Sequence, residues 1–538
     1  MPGILPGSRN STPASATPVP HPCKASQLAL PPKPRTAPTS MKKKTPVANA
    51  LSRRAFLAKA AAAIGTGIIA RVAPVPAWAR PIGANEAVRV AVIGMNNKGA
   101  DHVKQLAGMP GVRIAALCDV DPRILEREVG LLKAKQIDVF ATTDSRRVLE
   151  RADVDAVVIA VGDHWHGLLT VWACQAGKDV YIEKPIGRTI WESRKIVEAT
   201  AKYGRIVQAG TQRRSDPGVE DAVRYIKEGH LGKIQWIRTH DFALRTSIGR
   251  RMPWYPDWLD YDMYCGPMAM SPLERDQLHY DWRFMWNPGT GDLPNLGIHE
   301  LDMARRFANY DLPPRRVMCV GGRFLNPDVG ETPNTSVTVF EYPDAPPLLF
   351  ELRGLPAKPG VKYMDAYRGM REGVCVQCEG GYYAGNTGGA VYDNQGRQIQ
   401  KLHGDGGEGH MANFVDAVRS RRSGDLAAPI AVGFASTAIC LYGNISYRTG
   451  KQAGLEAVRQ ALDGNALAIE SLERMQQHLA VHGVDLAKQE LTLGPWLHLD
   501  PEKDGVTAIE GGSESTMDRV NFLLKETQRP PYVIADQV

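Results

Sequence analysis

The chain has 538 residues, 43% of them hydrophobic and 23% charged, which is long enough for several domains and ordinary enough in composition to exclude a disordered or fibrous protein. Its formal charge of +7 comes from residues 1–79, which hold eleven Lys or Arg and no Asp or Glu; beyond them, 54 basic residues face 58 acidic ones. A mildly acidic body offers no footprint for a phosphate backbone, so no nucleic-acid partner is expected.

The first forty residues carry ten prolines and too little apolar surface to fold. From Met41, a second candidate start, the chain reads as a basic stretch, then Ser52-Arg53-Arg54-Ala55-Phe56-Leu57, then a weakly apolar run from Ala60 to Ala70, then Ala77-Trp78-Ala79. That is a three-part export signal with paired arginines and a small-x-small cleavage site after Ala79. It predicts the twin-arginine machinery as a partner, a periplasmic or otherwise exported location, and folding around a cofactor before export. The apolar run is too short for a membrane anchor, and no other stretch is expected to span one.

Residues 80–210 read as a dinucleotide-binding domain. The short β-branched run Val88–Ile93 predicts a strand buried on both faces, followed by a turn between Gly94 and Gly99 into a helix whose N-terminal amides suit a pyrophosphate. Asn96 stands at the middle glycine position of G-x-G-x-x-G and tolerates the same backbone better than other side chains. A second strand, Arg113–Cys118, ends in Asp119, 25 residues after Gly94. A carboxylate there binds ribose hydroxyls and repels an added phosphate, which favours NAD over NADP. Further strands near Val139–Ala141, Ala156–Val161, Asp179–Glu183 and Arg205–Ala209 complete a six-stranded doubly wound parallel sheet. Ligands bind beyond the carboxyl ends of such strands, so the loops "GDHWHG", "EKPIG" and "GTQRR" are where chemistry is sought. They contribute His164, His166, Glu183 and Lys184 to the expected cofactor contacts.

Residues 211–450 read as an α+β substrate and oligomerisation domain. The segment Phe242–Pro288 is rich in aromatics, among them Tyr280, Trp282 and Trp286, whose flat rings suit a carbohydrate cleft or a small core under a long loop. Arg213, Arg214 and Arg283 are candidates to clamp hydroxyls or a carboxylate. Between Arg315 and Lys401, alternating runs predict five or six largely antiparallel strands with one face left for self-association, hence a homo-oligomer. Two helical segments close the domain, and residues 451–538 form a partly helical extension of unassigned role. Cys375 and Cys378 lie three apart on a predicted strand, facing opposite sides, so they read as structural rather than as a redox pair.

The stretches "AVIGMNNKG", "DHWHGLLTVWACQAGKDVYIEKPIG", "GRIVQAGTQRRSDPGVEDAVRYIKEGHLGKI" and "GTGDLPNLGIHELDMARRF" resemble the glucose-fructose oxidoreductase / inositol dehydrogenase (Gfo/Idh/MocA) family over about residues 85–450. The resemblance implies a nicotinamide-dependent enzyme for sugars, polyols or their derivatives, with an open-sheet second domain. It also implies that Lys184 hydrogen-bonds the reacting hydroxyl or carbonyl and that His299 is its acid-base partner. Two positions depart from the family pattern. Asn295 stands where relatives carry an aspartate four residues before the histidine, and Val161-Gly162-Asp163 replaces Thr-Pro-Asn. An amide takes no proton, so the shuttle is left to His299, Lys184 or water.

Removing hydride from a carbinol needs a base for the hydroxyl proton. Lys184, desolvated beside a positively charged nicotinamide, serves as base or polarising cation; the plainer reading pairs it with Glu183. Asn295, Asp302, Arg213, Tyr280 and Arg283 are the expected substrate contacts, with Asp302 one helical turn from His299 and placed to orient it. His164, His166, His299 and Asp302 were weighed as a metal set; none is expected. Export adds a constraint: free NAD is scarce outside the cytoplasm, so the cofactor must stay bound and be reset. A second substrate does this, or a redox-neutral glycosidase cycle on one sugar. The remaining alternative is a non-catalytic NAD-binding sugar-binding protein.

Overall fold

Strand β1 (Val88–Ile93) forms from a β-branched run whose side chains are buried on both faces, as helices covering a parallel sheet on either side require. The computed structural model describes residues 87–538 except 309 and 501. The export signal, its cleavage after Ala79 and the choice of start at Met1 or Met41 lie outside the described residues. After β1 the chain alternates through α1 (Lys98–Ala107), β2 (Val112–Cys118), α2 (Pro122–Ala134), β3 (Phe140–Thr142), α3 (Ser145–Leu149), β4 (Ala156–Ile159), α4 (Asp163–Gln175), β5 (Asp179–Ile182), α5 (Ile190–Tyr203) and β6 (Val207–Ala209). The six strands are parallel in the order β3-β2-β1-β4-β5-β6, with the chain reversing between β1 and β4, where a doubly wound sheet opens its ligand crevice. Helix starts are set locally: Asp121 accepts from the Arg123 amide ahead of Pro122, and Thr189 from the Glu192 amide.

The second sheet is built from α6 (Pro217–Lys227), β7 (Ile234–Phe242), α7 (Tyr261–Cys265), α8 (Ile298–Ala308), β8 (Arg316–Gly322), β9 (Thr335–Glu341), β10 (Leu348–Arg353), β11 (Glu372–Cys378), β12 (Gly381–Gly385), β13 (Gly388–Asp393) and β14 (Gln398–His403). All pairs are antiparallel except β7 with β10. Cys375 and Cys378 sit on β11 and pack into different apolar clusters, as alternation along a strand dictates. An α+β domain on an α/β nucleotide domain is thus the architecture.

Two later helices cross the expected boundaries. From α9 (His410–Ser420), Met411, Phe414, Val415 and Val418 pack against Val90, Val92 and Leu117 of the first sheet, so the chain returns to complete the nucleotide domain. Helix α10 (Ile430–Arg448), one of the two expected closing helices, has 19 residues and, against the expectation that no further stretch reaches that length, is long and apolar enough to cross a membrane; 78% of its most apolar window is buried, against α5, α8 and β8. The remainder is α11 (Leu455–Ala461), α12 (Ala466–Val481) and α13 (Glu514–Lys525) with β15 (Lys451–Ala453), β16 (Leu491–Leu493), β17 (Leu497–Asp500) and β18 (Gly505–Ile509). β16 and β17 both pair with β8. Leu472, Met475 and Leu479 of α12 pack on Met318, Val337 and Val339. Strands β15–β18 therefore extend the second sheet, α12 covers at β8 and β9 a face expected to be open, and α13 packs on α5.

Candidate active site

A cavity of about 440 Å3 opens at the carboxyl edge of the first sheet, lined by Gly94–Lys98, Asp119, Asp163, His164, His166, Glu183 and Lys184 on one side and by Tyr280, Trp282, Arg283, Asn295 and His299 on the other. Residues 200 positions apart in sequence thus share one space, because α8 begins where the second domain meets the ends of β4 and β5.

The nucleotide half is built from the β1–α1 turn. Gly94 has φ +85°, and a Cβ on Gly99 would fall 1.8 Å from the Gly94 carbonyl oxygen, so side chains are excluded where the backbone folds on itself. Asn97 leads α1 without a side-chain cap, and Lys98 is its first residue. The Ala100 amide donates to the Asn97 carbonyl at 2.9 Å, which leaves the amides of Lys98 and Gly99 for a ligand, and a ligand there is anionic. Asp119 accepts from the Met95 amide at 2.7 Å and from the Asp121 amide at 3.0 Å, which aims its carboxylate along the crevice. Burial raises its pKa from the ordinary carboxylate value, against these two hydrogen bonds. A glycine turn, bare helix amides and a carboxylate at the end of β2 fit NAD.

At the other half, Lys184 follows β5, and its ammonium donates to the backbone carbonyl of Asn295, with the Asn295 amide oxygen at 3.5 Å. The Asn295 amide nitrogen donates to Asp292 at 3.3 Å, which turns the oxygen toward the lysine. Burial lowers the Lys184 pKa, and the neighbouring Arg283 cation adds to this against the attraction of Glu183. His299, on the first turn of α8, has a buried Nδ1 without a hydrogen-bond partner. Burial, then the Lys184 and Arg213 cations, hold its pKa well below the usual 6.5, so the imidazole is neutral and able to accept a proton. Glu183 accepts from His102 and from the Gln212 amide, each at 2.8 Å. Burial alone would raise its pKa, but the hydrogen bond and charge of His102, together with the Lys184 and Lys98 cations, bring it down to about 2.

Two expectations, those for Asp302 and for the arginines after β6, are corrected. Asp302 neither lines the cavity nor orients His299: its carboxylate is 1% exposed and takes Arg214 at 2.7 and 2.9 Å together with Ser436. Three residues along a helix turn the side chain by about 300°, enough to send Asp302 toward α10 while His299 faces the crevice. Arg213 and Arg214 lie outside the cavity lining as well, because each guanidinium is taken by an acid of α8, Glu300 or Asp302. His164 and His166 line the cavity, but their ring nitrogens meet backbone carbonyls: Tyr264 at 2.9 Å and Pro288 at 3.2 Å for His164, Pro185 at 2.6 Å and Val161 at 3.1 Å for His166. They fasten the strand-end loops, and buried His164 is held neutral with a pKa of about 4. Of the four residues considered as a metal set, Asp302 is turned away from the cavity that His164, His166 and His299 line.

The aromatic segment divides. Tyr264, Tyr280 and Trp282 line the cavity, whereas Trp254, Trp258 and Tyr261 pack with Tyr264, Leu273 and Leu278 in a small core of their own. Trp165, between the two histidines, donates its indole N–H to Met263 and Tyr264 carbonyls. Lys98, Asp163 and Gln212 line the site without having been singled out. Asp163 is 4% exposed and accepts from the Thr290 hydroxyl at 2.6 Å; its place in the altered Val-Gly-Asp stretch was the available signal. Lys98 directly precedes Gly99 as the first residue of α1 and is exposed at the cavity rim.

The fold and this cavity define a dinucleotide-binding α/β protein with an open-sheet second domain. Residues 88–211 match the family model of GFO_IDH_MocA, described as an oxidoreductase family with an NAD-binding Rossmann fold, and NAD is the cofactor of this domain. The chain is 39% identical over 150 residues to inositol 2-dehydrogenase 1 of Saccharopolyspora erythraea, covering 27% of this chain and 43% of that protein. It is 29% identical over 183 residues to a glycosyl hydrolase family 109 protein of Shewanella pealeana, covering 32% and 40%. The chain spans about half the length of the curated relatives it matches. Among solved structures, levoglucosan dehydrogenase in complex with NADH superposes with a TM-score of 0.50 at 18% identity, covering 66% of this chain and 96% of that one, a likeness of fold.

Proposed function

We propose that the chain is an exported NAD-dependent oxidoreductase that transfers hydride from a CH–OH group of a sugar, polyol or glycoside and keeps its cofactor bound between turnovers. The observation that carries this reading is that Lys184 and His299, from two domains, line the same cavity as the glycine turn and Asp119. Gly94, Asn96, Gly99, Lys98 and Asp119 hold the cofactor, which supplies a hydride acceptor when bound. Lys184 shifts its donated hydrogen bond from the Asn295 carbonyl to the substrate hydroxyl and holds that oxygen. His299, neutral and unpartnered at Nδ1, takes the hydroxyl proton as the C–H bond breaks, and returns it in the reverse direction. Asn295 keeps the lysine in place, and Tyr280 and Trp282 present flat faces to the sugar.

The paired arginines of the leader support export, and export supports a retained cofactor. A second reading, in which the hydride returns to the same sugar after a glycosidic bond has been eliminated, is favoured by the similarity to the Shewanella protein. Purified mature protein should carry NAD through gel filtration, and a panel of sugars and polyols should raise its absorbance at 340 nm. Protein that is free of NAD, and silent to every sugar when NAD is added, would sink the proposal.

A further inference from the structure

The arginines around the cavity are neutralised in the protein itself. Arg245 holds Asp292 through two hydrogen bonds of 2.8 Å, Arg323 holds Asp328, Arg213 holds Glu300 and Arg214 holds Asp302. Arg283 differs: it lines the cavity, and among the described residues it makes no ion pair. It is nonetheless fixed. Its Nε donates to the Tyr280 carbonyl at 2.9 Å, and the guanidinium lies 3.9 Å over the Tyr280 ring and 5.4 Å from that of Trp282. Tyr280 adopts φ +68°, a backbone conformation that is strained for a non-glycine residue and persists only where its surroundings hold it. Its hydroxyl accepts from Arg245 at 3.2 Å. Strain, stacking and a second arginine thus hold one guanidinium in place while both its Nη groups stay without a protein acceptor. Half-buried and open to the cavity, this cation has no acidic partner within the described residues and is free to take one from a ligand.

The phosphates of the cofactor are served elsewhere, by the β1–α1 turn and Lys98. Arg283 stands at the other end, near enough to Lys184 for the two cations to repel, with Asp163 and Asp292 close by. Those two carboxylates disfavour a dianionic phosphate. A carboxylate carries one charge and presents two coplanar oxygens that match the guanidinium fork. We propose that Arg283 is a specificity residue for a substrate carboxylate, so that the site takes a sugar acid, a uronate or an aldonate, in preference to a neutral sugar or polyol. This rests on the oxidoreductase reading only for the fate of the hydroxyl; the carboxylate preference is a statement about binding.

The test is therefore a binding measurement. Calorimetric titration of the NAD-loaded full mature chain compares glucuronate and galacturonate with glucose, gluconate with sorbitol, and adds glucose 6-phosphate. An acid should bind at least about 30-fold more tightly than its neutral parent, as a charge-assisted bidentate contact allows. Arg283→Gln should erase that gap by weakening the acid to the level of its neutral parent. Arg283→Lys, which keeps the charge but not the fork and guards against a loop that fails to fold, should lose about three- to tenfold for the acid. Equal affinity for acids and neutral parents overturns the proposal. So does tighter binding of the sugar phosphate, or a tenfold loss of NAD affinity in Arg283→Gln, which would make the arginine a cofactor contact. Acid-selective binding with no change at 340 nm would leave this inference standing and count against the oxidoreductase reading.

Discussion

Lys184 and His299 illustrate how burial prepares single side chains. Both pKa values are lowered, chiefly by desolvation, so at neutral pH the imidazole is the free base while the ammonium holds its proton less firmly than in water. With His299 as proton acceptor, kcat/KM falls only when pH drops below 6.5, toward the lowered imidazole pKa. With Lys184 acting as a cation, the alkaline limb lies below the usual lysine value of about 10.5 and vanishes in Lys184→Met, which should lose about 10²–10⁴ in kcat/KM while NAD affinity changes little. An acid limb above pH 6.5 would exclude His299 from that role. Asp119 makes a separate prediction: Asp119→Ala removes the carboxylate that, in the proposed binding mode, repels an added ribose phosphate, and the ratio of NADP to NAD affinity should rise at least about tenfold, read from dissociation constants by fluorescence.

At the scale of elements, the β1–α1 turn is the most exacting piece of backbone. Gly99→Ala places a methyl 1.8 Å from the Gly94 carbonyl, whereas Gly108→Ala, at the far end of the same helix, meets nothing nearer than 3.8 Å. Gly99→Ala should weaken NAD binding by about two orders of magnitude or more with the fold retained, and Gly108→Ala should leave it within about twofold. Equal effects would mean that the turn does not form the nucleotide cradle. This turn was legible because its cues are adjacent in sequence: a buried β-branched run, two glycines five apart and a helical pattern. The partners of α8 were not legible. Spacing placed His299 and Asp302 near one another, but Arg214 and Ser436, 88 and 134 residues away, claim Asp302, and no local pattern encodes such pairings.

The whole molecule is held together by segments that return late in the chain. Helix α9 finishes the core of the nucleotide domain, and α12 closes one face of the second sheet. His478 of α12 lies buried beside this junction, and burial, reinforced by Arg353, lowers its pKa to about 4. The unfolded chain takes up that proton near pH 6.5 and the folded one only near 4, so between these values the unfolded state binds more protons and stability falls with pH. His478→Leu lacks this penalty. The melting temperature of the parent protein should therefore decline relative to the variant as pH drops from 6.5 to 4, and the difference should stay constant above pH 7. A constant difference throughout would mean that the folded and unfolded chains protonate this histidine at the same pH.

The sequence by itself determined the doubly wound sheet, the glycine turn, the carboxylate after β2 and the identities of Lys184 and His299, because each is written in residues a few positions apart, where strand and helix periodicity and backbone sterics act. Only the tertiary structure decided which charges remain for a ligand. Arg213, Arg214 and Arg283 look alike in sequence, yet two are neutralised by α8 and one is left facing the cavity. A guanidinium pairs with whichever carboxylate packing brings within about 3 Å, and packing joins residues that the chain keeps far apart.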